Sequence, residues 1–278
     1  MDKAVKALKN SSRKEYILAT GDCAIVRLRL LDEIFGPATR EFLTTIGLRL
    51  GWRVADIGCG IGLVALWIAE QVGRDGWVSA VDLSFEQLRV AKSNAAVAGL
   101  KNISFHQASA YKTGLPANSL DLVCSRFLMC HLTRPVDALK EMGALLKKGG
   151  VLTCEDCDDS SIVTDPPTRA YARLVEISQA LDAKRGSDSN VGLKLHRLFR
   201  EAGFRSPNIS LKQMAISRGP AKQFWEMTLR EAAPAIIEAG AASAEELDAI
   251  CGEMLDIARD ETTLVVMPRF SQVWMFKE

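Results

Sequence analysis

The residues best suited to chemistry form a glycine-rich turn flanked by two aspartates. The segment Asp56-Ile57-Gly58-Cys59-Gly60-Ile61-Gly62 follows an apolar run and precedes a helical pattern, and Asp82 ends the next apolar run, 24 residues after Gly58. Glycines let the chain turn tightly and let a ligand approach backbone N–H groups that a Cβ would block. A carboxylate at the second position can accept hydrogen bonds from both hydroxyls of a ribose. The spacing therefore predicts a nucleoside-binding turn, not a tight turn beside a surface aspartate.

The charge of this turn distinguishes between nucleoside cofactors. A dinucleotide fingerprint is spaced G-x-G-x-x-G and places a pyrophosphate at a helix N-terminus, whereas here the third glycine comes one residue earlier, at Gly62. Asp56 also precedes the first glycine by two, and its carboxylate would repel a pyrophosphate and attract a cation. S-adenosylmethionine carries an ammonium and a sulfonium and no phosphate. The sequence therefore predicts S-adenosylmethionine and disfavours an NAD-dependent oxidoreductase.

Three histidines are available as proton acceptors. His131 lies just past the fourth apolar run, where loops at the carboxyl edge of a parallel sheet face a ligand. It is either a general base or a structural histidine of that turn. We expect His106, at the end of the third run, and His196, within a helical pattern, to serve packing.

An acidic run at the end of the fifth apolar segment supplies a further candidate for the general base, Asp158. The run comprises Glu155, Asp156, Asp158 and Asp159, and such a run is usually a solvated loop. Cys154 and Cys157 have the spacing of a metal or redox pair, but a zinc site needs about four ligands and no second pair stands at a useful distance. No metal site is predicted.

The composition excludes several function classes. Lys and Arg number 35 against 34 Asp and Glu, so the chain has no basic excess for a nucleic-acid partner. The first residues show no apolar leader, and the most apolar stretch, 54–69, is broken by Asp56 and glycines, so neither a secretory signal nor a membrane span is expected. Seven scattered cysteines fit free thiols in a reducing compartment. These features predict a soluble cytoplasmic protein.

Apolar runs and helical patterns alternate over the first half of the chain. Runs typical of strands are Arg53–Ile57, Trp77–Val81, Ile103–His106, Leu120–Cys124 and Val151–Glu155, and helical patterns cover Gly62–Val72, Ser84–Ala98 and Pro135–Leu146. Such alternation predicts βαβ units and a parallel sheet covered by helices on both faces.

In the rest of the chain, strands and helices no longer alternate regularly, and most of the patterns are helical. Helical patterns cover Thr168–Ala183, Leu193–Ala202 and Ala221–Arg259, and strand-like patterns cover Ile209–Ile216 and Phe270–Phe276. We therefore expect an N-terminal helical segment, 1–45, and one domain, 46–278, with a helical insertion around 218–262 between its last two strands. Phe224, Trp225, Met227 and Tyr171 are candidates for a wall of this insertion over the active site, and a water-poor site of that kind suits an apolar or aromatic acceptor.

Several motifs together resemble those of class I S-adenosylmethionine-dependent methyltransferases. The likeness runs from about Tyr16 to Asp158 and is strong over 54–151. Besides the glycine turn it includes Asp82-Leu83-Ser84, Gln107-Ala108-Ser109-Ala110, Leu115-Pro116-Ala117-Asn118-Ser119-Leu120-Asp121 and Leu146-Lys147-Lys148-Gly149-Gly150. Within that family the chain is most similar to small-molecule enzymes, including the quinone C-methyltransferases.

This resemblance implies an α/β fold: a Rossmann-like, doubly wound, seven-stranded sheet, mostly parallel, with an antiparallel last strand. It also implies cofactor contacts at Tyr16, Asp56, Gly58, Gly60, Asp82, Leu83, Gln87, Ser109, Ala110 and Arg126. Two positions depart from the family pattern. Many members have an aspartate where Ser109 stands, which weakens the expected adenine contact, and the glycine after Tyr16 is displaced.

The function predicted from these observations is in-line methyl transfer from S-adenosylmethionine to a small, apolar or aromatic molecule, with neither nucleic acid nor membrane as a partner. Whether the acceptor is methylated on O, N, S or C stays open, and so does a homodimer. The alternatives are a methyltransferase acting on RNA or protein, and a regulator that binds the cofactor without turnover.

Overall fold

The computed structural model describes Leu18 and residues 24–278. Seven strands form the main sheet: β1 (Arg53–Ile57), β2 (Trp77–Asp82), β3 (Ile103–Gln107), β4 (Leu120–Arg126), β5 (Leu146–Asp158), β7 (Asn208–Lys212) and β10 (Arg269–Phe276). Three short strands form a second sheet: β6 (Val163–Asp165), β8 (Ala215–Ile216) and β9 (Leu264–Val266). The helices are α1 (Ile25–Thr45), α2 (Leu63–Val72), α3 (Phe85–Val97), α4 (Pro135–Leu145), α5 (Arg169–Arg185), α6 (Leu195–Glu201), α7 (Phe224–Glu238) and α8 (Ala244–Arg259).

The main sheet has the order β3-β2-β1-β4-β5-β10-β7. Strands β1 to β5 pair in parallel, and β10 pairs antiparallel with both β5 and β7. The central strand β1 is buried from Val54 onward, as expected for a parallel strand covered on both faces. The predicted Rossmann-like seven-stranded fold with an antiparallel last strand is therefore confirmed.

The carboxyl ends of β1, β2, β4 and β5 meet at one edge of this sheet, because parallel strands all point the same way. The chain order reverses between β1 and β4, where an open α/β sheet leaves a crevice. The turns that follow these strands therefore converge on one place, although their residues are far apart along the chain.

Two elements differ from the sequence-based expectations. The Ile209–Ile216 pattern is split between β7 and β8, which belong to different sheets, because the chain leaves the main sheet at Gln213. The Gln213 side chain fixes this exit by donating to the carbonyls of Ser161 and Met267, at 3.2 and 3.0 Å. The Ala221–Arg259 pattern forms two helices, since Gly240 turns with φ +68° and Ser243 caps α8 by accepting from the Glu246 N–H at 3.1 Å.

Strand β5 is also longer than Val151–Glu155, because it starts at Leu146 and continues to Asp158. Gly150 permits this start beside β4: a Cβ there would lie 2.9 Å from the Leu120 carbonyl oxygen. The extension carries the end of β5 into the crevice.

Helices α1, α5, α7 and α8 form a layer above the carboxyl edge of the sheet. They share one buried core that includes Phe35, Leu174, Leu229 and Met254. Two ion pairs join them: Arg27 of α1 to Glu231 of α7 at 2.7 Å, and Arg173 of α5 to Glu246 of α8 at 2.7 Å. The helices between β7 and β10 thus lie over the edge where the crevice opens. In the part of the chain that the structure describes, none of the helices is long and apolar enough to cross a membrane.

Candidate active site

A cavity of about 920 Å³ lies between the carboxyl edge of the sheet and the layer of α1, α5 and α7. Small-molecule sites typically measure about 300–1,000 Å³, so this cavity is large enough for a cofactor together with a second ligand. Its floor consists of the turns after β1, β2 and β4, and its roof consists of helix side chains. We call these two parts the sheet side and the helix side.

The glycine turn forms the centre of the sheet side. Gly58 and Gly60 have φ of +77° and +53°, a region that residues with a Cβ rarely adopt. A Cβ on Gly58 would also lie 3.0 Å from Leu128 Cδ1. The Gly58 and Cys59 N–H groups donate to the Val81 carbonyl at 2.8 and 3.0 Å, so the turn is held against the end of β2.

Asp82 fixes the same turn from the end of β2. One carboxylate oxygen accepts from the Gly60 N–H at 2.8 Å, and the other accepts from the Ser84 N–H at 2.8 Å. Burial raises the pKa of this carboxyl, and the backbone N–H donors oppose that rise. Each oxygen retains a second lone pair, so the carboxylate can hold the turn and still has the capacity to accept from two ribose hydroxyls.

Asp56 presents an unsatisfied carboxylate oxygen to the cavity. Its side chain is 2% exposed, and Oδ2 has no hydrogen-bond partner among the described residues. Burial raises the pKa of Asp56 to about 7, although the nearby Arg126 guanidinium lowers it. A buried carboxylate is costly without a compensating donor or cation. The ammonium of an amino-acid-like ligand supplies both, so this site fits the predicted cofactor.

The other predicted cofactor contacts also line the cavity: Leu83, Gln87, Ser109, Ala110 and Arg126. The Gln87 side chain is 3% exposed, and its Oε1 has no partner among the described residues. The Ser109 hydroxyl accepts from the Tyr111 N–H at 3.2 Å, which places it in the turn after β3. Tyr16 lies outside the described residues.

Arg126 joins the two sides of the cavity. Its guanidinium donates to Asp32 of α1 at 2.8 Å and to the Thr39 hydroxyl at 3.4 Å. Its positive charge also lowers the pKa values of Asp56 and Glu155, which burial raises to about 7 in each case. The contacts to α1 were not expected from the sequence, because Asp32 lies 94 residues away.

The helix side is mostly apolar. Its lining side chains include Leu28, Leu31 and Phe35 from α1, Leu174, Ile177 and Leu181 from α5, and Phe224, Trp225, Leu229, Ala232 and Ile236 from α7. Phe224 and Trp225 were predicted wall residues and do line the cavity, whereas Tyr171 is buried in the helical core and is absent from the lining.

His131 lines the cavity where the two sides meet. Burial, together with the positive charges of Arg27 and Arg185, lowers the pKa of His131 to about 4. The imidazole is therefore neutral at pH 7 and has a nitrogen lone pair to accept a proton. This placement suits the general-base alternative and does not exclude a structural role.

Asp158 does not line the cavity. Its carboxylate accepts from Arg269 at 2.6 Å and from the Ser160 hydroxyl at 2.6 Å, which ties the end of β5 to the start of β10. The geometry therefore gives no support to Asp158 as a base, and its neighbours Asp156 and Asp159 face the cavity instead. Burial raises the pKa of Asp159 well above its usual range, and the charges of Asp182 and Asp156 add to the rise.

Asp182 is one of several cavity residues that sequence reasoning missed. It lies near the end of α5 and accepts from the Ser187 hydroxyl at 2.7 Å and from the Ser189 N–H at 2.6 Å. No local motif marks it, because only the packing of α5 over β5 brings it close to Asp159. In the sequence, Asp182 stands within a helical pattern next to Leu181, and nothing there indicates that its side chain lines a cavity.

The other flagged side chains lie elsewhere or have packing roles. His106 bonds the Ser104 hydroxyl at 2.9 Å on β3 and does not line the cavity, and His196 lies on α6. The Ser125 hydroxyl donates to the Cys154 sulfur at 3.2 Å in the sheet, whereas Cys157 faces the cavity. The described residues contain no group of His, Cys, Asp and Glu arranged to hold a metal ion.

Comparison with known proteins agrees with this geometry. Residues 54–150 match the family model of a methyltransferase domain. Among curated relatives, the chain is 37% identical over 141 residues to aklanonic acid methyltransferase DauC from Streptomyces, covering 51% of this chain and 64% of that protein. It is 29% identical over 123 residues to a demethylmenaquinone methyltransferase from Listeria monocytogenes, covering 44% and 52% of the two chains. The chain thus spans about half to two thirds of the length of these relatives.

Solved structures show the same fold. The YcgJ protein from Bacillus subtilis superimposes with a TM-score of 0.57 at 19% identity, covering 85% of this chain and 96% of that one. A putative sarcosine dimethylglycine methyltransferase from Galdieria sulphuraria gives 0.52 at 15% identity, covering 98% of each chain. The predicted Rossmann-like fold is confirmed, and the match of residues 54–150 to a methyltransferase domain agrees with the predicted family and with S-adenosylmethionine as its cofactor.

Proposed function

We propose that this chain, whose residues 54–150 form a methyltransferase domain, transfers a methyl group from S-adenosylmethionine to a small, largely apolar molecule. One observation carries the proposal: a single cavity joins an unsatisfied buried carboxylate on a glycine turn, Asp56, to an apolar wall of helices. The carboxylate suits a cationic cofactor, and the wall suits an apolar acceptor beside it.

The sheet side holds the cofactor through groups fixed by the backbone. Asp56 accepts from the ammonium, Asp82 from the ribose hydroxyls, and Gln87 adds an unpartnered carbonyl oxygen. When bound, S-adenosylmethionine supplies an electrophilic methyl group on a sulfonium. The chain's contribution is alignment, since a fixed approach of acceptor and methyl is worth up to about 7–11 kcal/mol of the barrier.

His131 is the proposed proton acceptor for an acceptor group that must lose a proton. It lines the cavity between the two sides and is neutral at pH 7, because burial and two arginines lower its pKa to about 4. The imidazole takes the proton as the methyl is transferred and passes it to solvent afterwards. An acceptor that is already ionised, or an amine, would need only positioning by the same residue.

The helix side excludes water and selects the acceptor. Helix α1 and the insertion around 218–262 are the proposed cover, since α1 and α7 supply apolar lining side chains. Residues 1–17 and 19–23 of the predicted N-terminal segment lie outside the described residues. A dry cavity strengthens each polar contact within it and prevents hydrolysis. The enclosed apolar wall favours a small molecule over RNA or protein as the substrate, and the near-zero net charge agrees with that choice.

Calorimetric titration tests this proposal first. The protein is titrated with S-adenosylmethionine, with S-adenosylhomocysteine and with NAD, and then screened for transfer of a labelled methyl group to phenols, amines and quinones. We expect micromolar binding of the first two ligands, no binding of NAD, and labelled product from an apolar acceptor. Binding of NAD alone would overturn the proposal. Cofactor binding with no transfer to any acceptor would favour the regulator alternative.

A further inference from the structure

Phe127 has a backbone conformation that residues with a Cβ rarely adopt. Among the described residues other than glycine, three have a positive φ: Asn118 and Ser206, which are polar and exposed, and Phe127, with φ +53°. Phe127 is half-buried and lines the cavity just after β4. A conformation of this kind costs free energy and persists only where the surrounding structure holds it. The neighbours of Phe127 must therefore hold it in place.

The positive φ of Phe127 turns the chain out of β4 towards the cavity. The Phe127 N–H still donates to the Glu155 carbonyl of β5 at 2.9 Å, and a short 3-10 helix, Met129–His131, begins two residues later. The His131 N–H closes that helix by donating to the Leu128 carbonyl at 3.0 Å. A change of φ at Phe127 would therefore redirect His131, which follows it closely along the chain.

An aromatic cluster holds the Phe127 ring. This ring packs edge-on against Phe35 of α1, with centroids 4.9 Å apart at 75°, and stacks on Phe270 of β10, with centroids 5.2 Å apart at 29°. The centroids of Phe35 and Phe270 are themselves 4.9 Å apart, and both side chains are fully buried. Aromatic pairs of this geometry stabilise a fold beyond the area they bury. The cluster therefore offsets the cost of the positive φ.

Helix α1 also holds the residue that precedes Phe127. Arg126 forms an ion pair with Asp32 at 2.8 Å, with the two side chains 11% and 13% exposed, and it donates to the Thr39 hydroxyl at 3.4 Å. Residues 32, 35 and 39 are spaced three and four apart, so they share one face of α1. This face thus contacts both residues that lead into the turn of His131.

We propose that α1 sets the position of His131 through Arg126 and Phe127, which are positioning residues for the proposed base. When α1 is docked, its face maintains the positive φ of Phe127, and His131 lines the cavity. When α1 is displaced, the turn relaxes and His131 leaves its buried position. The base is therefore in place only while the roof of the cavity is closed. This inference rests on the proposed function, in which His131 accepts a proton.

The titration of His131 reports whether the side chain is in place. With α1 docked, burial and the charges of Arg27 and Arg185 keep the pKa of His131 at about 4. Because Arg27 belongs to α1, displacement of this helix removes both burial and a positive charge, and each loss raises the pKa towards the ordinary value of 6.5. Other titratable side chains that line the cavity on the neighbouring elements are Cys130, Asp156, Asp159, Asp182 and Glu238.

Nuclear magnetic resonance titration of the histidine rings tests the proposal without a substrate. The chain has three histidines, and the spectrum of His131→Gln assigns the His131 signals by their absence. In the unliganded wild type, we expect these signals to stay constant between pH 5.5 and 8, because the imidazole stays neutral. In Phe35→Leu, we expect them to move with pH in this range, with the pKa of His131 raised by at least about one pH unit. His106 on β3 should keep its wild-type titration curve.

Phe42→Leu is the matched control. Phe42 also belongs to α1 and packs edge-on against a sheet residue, Trp274 of β10, with centroids 5.4 Å apart at 66°, but neither ring lines the cavity. We expect Phe42→Leu to lower the thermal stability about as much as Phe35→Leu while the His131 signals stay constant. A merely structural role of Phe35 predicts the same titration of His131 in both variants.

Substitutions of Phe127 separate the effect of its ring from that of its backbone. Phe127→Ala and Phe127→Gly both remove the ring, but only alanine retains the cost of the positive φ. We expect Phe127→Gly to be the more stable of the two in thermal unfolding. Phe127→Ala should show the larger rise in the pKa of His131, because its turn gains more by relaxing.

The ion pair of Arg126 is tested in the same way. Asp32→Asn removes its charged partner on α1 and should raise the pKa of His131 by less than Phe35→Leu does. Glu41→Gln removes an exposed ion pair of α1 with Lys212 of β7 and should leave the His131 signals constant.

Three results would overturn the inference. They are an ordinary titration of His131 in the wild type, the same titration in Phe35→Leu and Phe42→Leu, and constant His131 signals in Phe127→Ala. The first needs only wild-type protein, so it does not depend on whether a variant folds. If instead the titrations behave as expected but His131→Gln transfers methyl groups normally, the positioning of His131 stands and its proposed role as a base is wrong.

Discussion

The two sides of the cavity are built in different ways. The sheet side is made of turns between 56 and 128, where backbone N–H groups and one carboxylate, that of Asp82, fix the geometry at 2.8 Å. The helix side is made of side chains from α1, α5 and α7. Helix α1 precedes the other two by more than a hundred residues, and apolar packing and two ion pairs hold the layer together. Backbone geometry therefore shapes the sheet side, whereas side-chain packing shapes the helix side.

Arg126 and His131 lie where the two sides meet. The Arg126 guanidinium donates to Asp32 of α1 while its charge lowers the pKa of Asp56, so it links α1 to the glycine turn. His131 follows β4 and faces the apolar wall. We therefore expect three kinds of effect. Substitutions where the two sides of the cavity meet should change turnover, and those on the sheet side should change cofactor affinity. Substitutions outside the cavity should change only the stability of the fold.

The largest effect is expected for His131→Gln. Loss of the base should lower kcat by about 10²–10⁴-fold on an acceptor that must lose a proton, with little change in cofactor affinity. The low pKa of about 4 keeps His131 neutral above pH 5, so the wild-type rate should show no loss from its protonation between pH 5.5 and 8. The check is kcat against pH for both proteins, and normal turnover of the variant would remove His131 from the mechanism.

Asp82→Ala should reduce S-adenosylhomocysteine affinity by at least about a hundredfold. Two ribose contacts are lost, each worth about 1.5–3 kcal/mol when charge-assisted, and the Gly60 and Ser84 N–H groups lose their acceptor. Calorimetry measures the affinity, and Asp75→Ala, an exposed position on the far side of the sheet, serves as the control. Unchanged affinity would contradict the ribose assignment.

Asp56→Asn should weaken cofactor binding by about ten- to thirtyfold, since the ammonium loses a charged partner. Wild-type affinity should also rise about eightfold between pH 6 and 7.5, because the free carboxyl has a pKa of about 7 and binding requires its ionised form. The variant should lose most of this pH dependence. A steep dependence that persists in Asp56→Asn would assign the titration to another group.

The raised pKa of Asp56 also predicts how the stability of the unliganded protein depends on pH. The folded state holds the Asp56 proton more tightly than the unfolded chain, so this group stabilises the unliganded protein at low pH, and the contribution is lost as pH rises through about 7. Thermal unfolding without ligand should therefore show less loss of stability between pH 6 and 8 for Asp56→Asn than for the wild type. An identical loss in both would contradict the assignment.

The smallest effect on chemistry is expected for Asp158→Asn. Its carboxylate bonds Arg269 and Ser160 outside the cavity, so the variant should lose about 1 kcal/mol of unfolding free energy while cofactor affinity and kcat stay within twofold. Denaturant unfolding and the methyl-transfer assay provide the measurements. A hundredfold fall in kcat with intact folding would restore Asp158 as a catalytic candidate.

The glycine turn and its two aspartates could be picked out from the sequence because the signals that mark them are local. The glycine turn, Asp56 and Asp82 follow consecutive strands, and parallel strands always bring their carboxyl ends to one edge. Hydrophobic alternation predicted the order of strands and helices in the first half of the chain for the same reason, whereas the antiparallel last strand was implied by the resemblance to a known family.

The lining of the helix side could not be predicted from the sequence, because tertiary structure decides it. Nothing in the local sequence distinguishes Asp158, bound to Arg269, from Asp159, which faces the cavity one residue later. Asp182 and Trp225 line the cavity only because α5 and α7 pack above the end of β5. The Ile209–Ile216 pattern is divided between two sheets at Gln213, whose side chain donates to the carbonyls of Ser161 and Met267. Periodicity along a chain records which residues are buried, but which polar group meets which ligand is decided by contacts between distant segments.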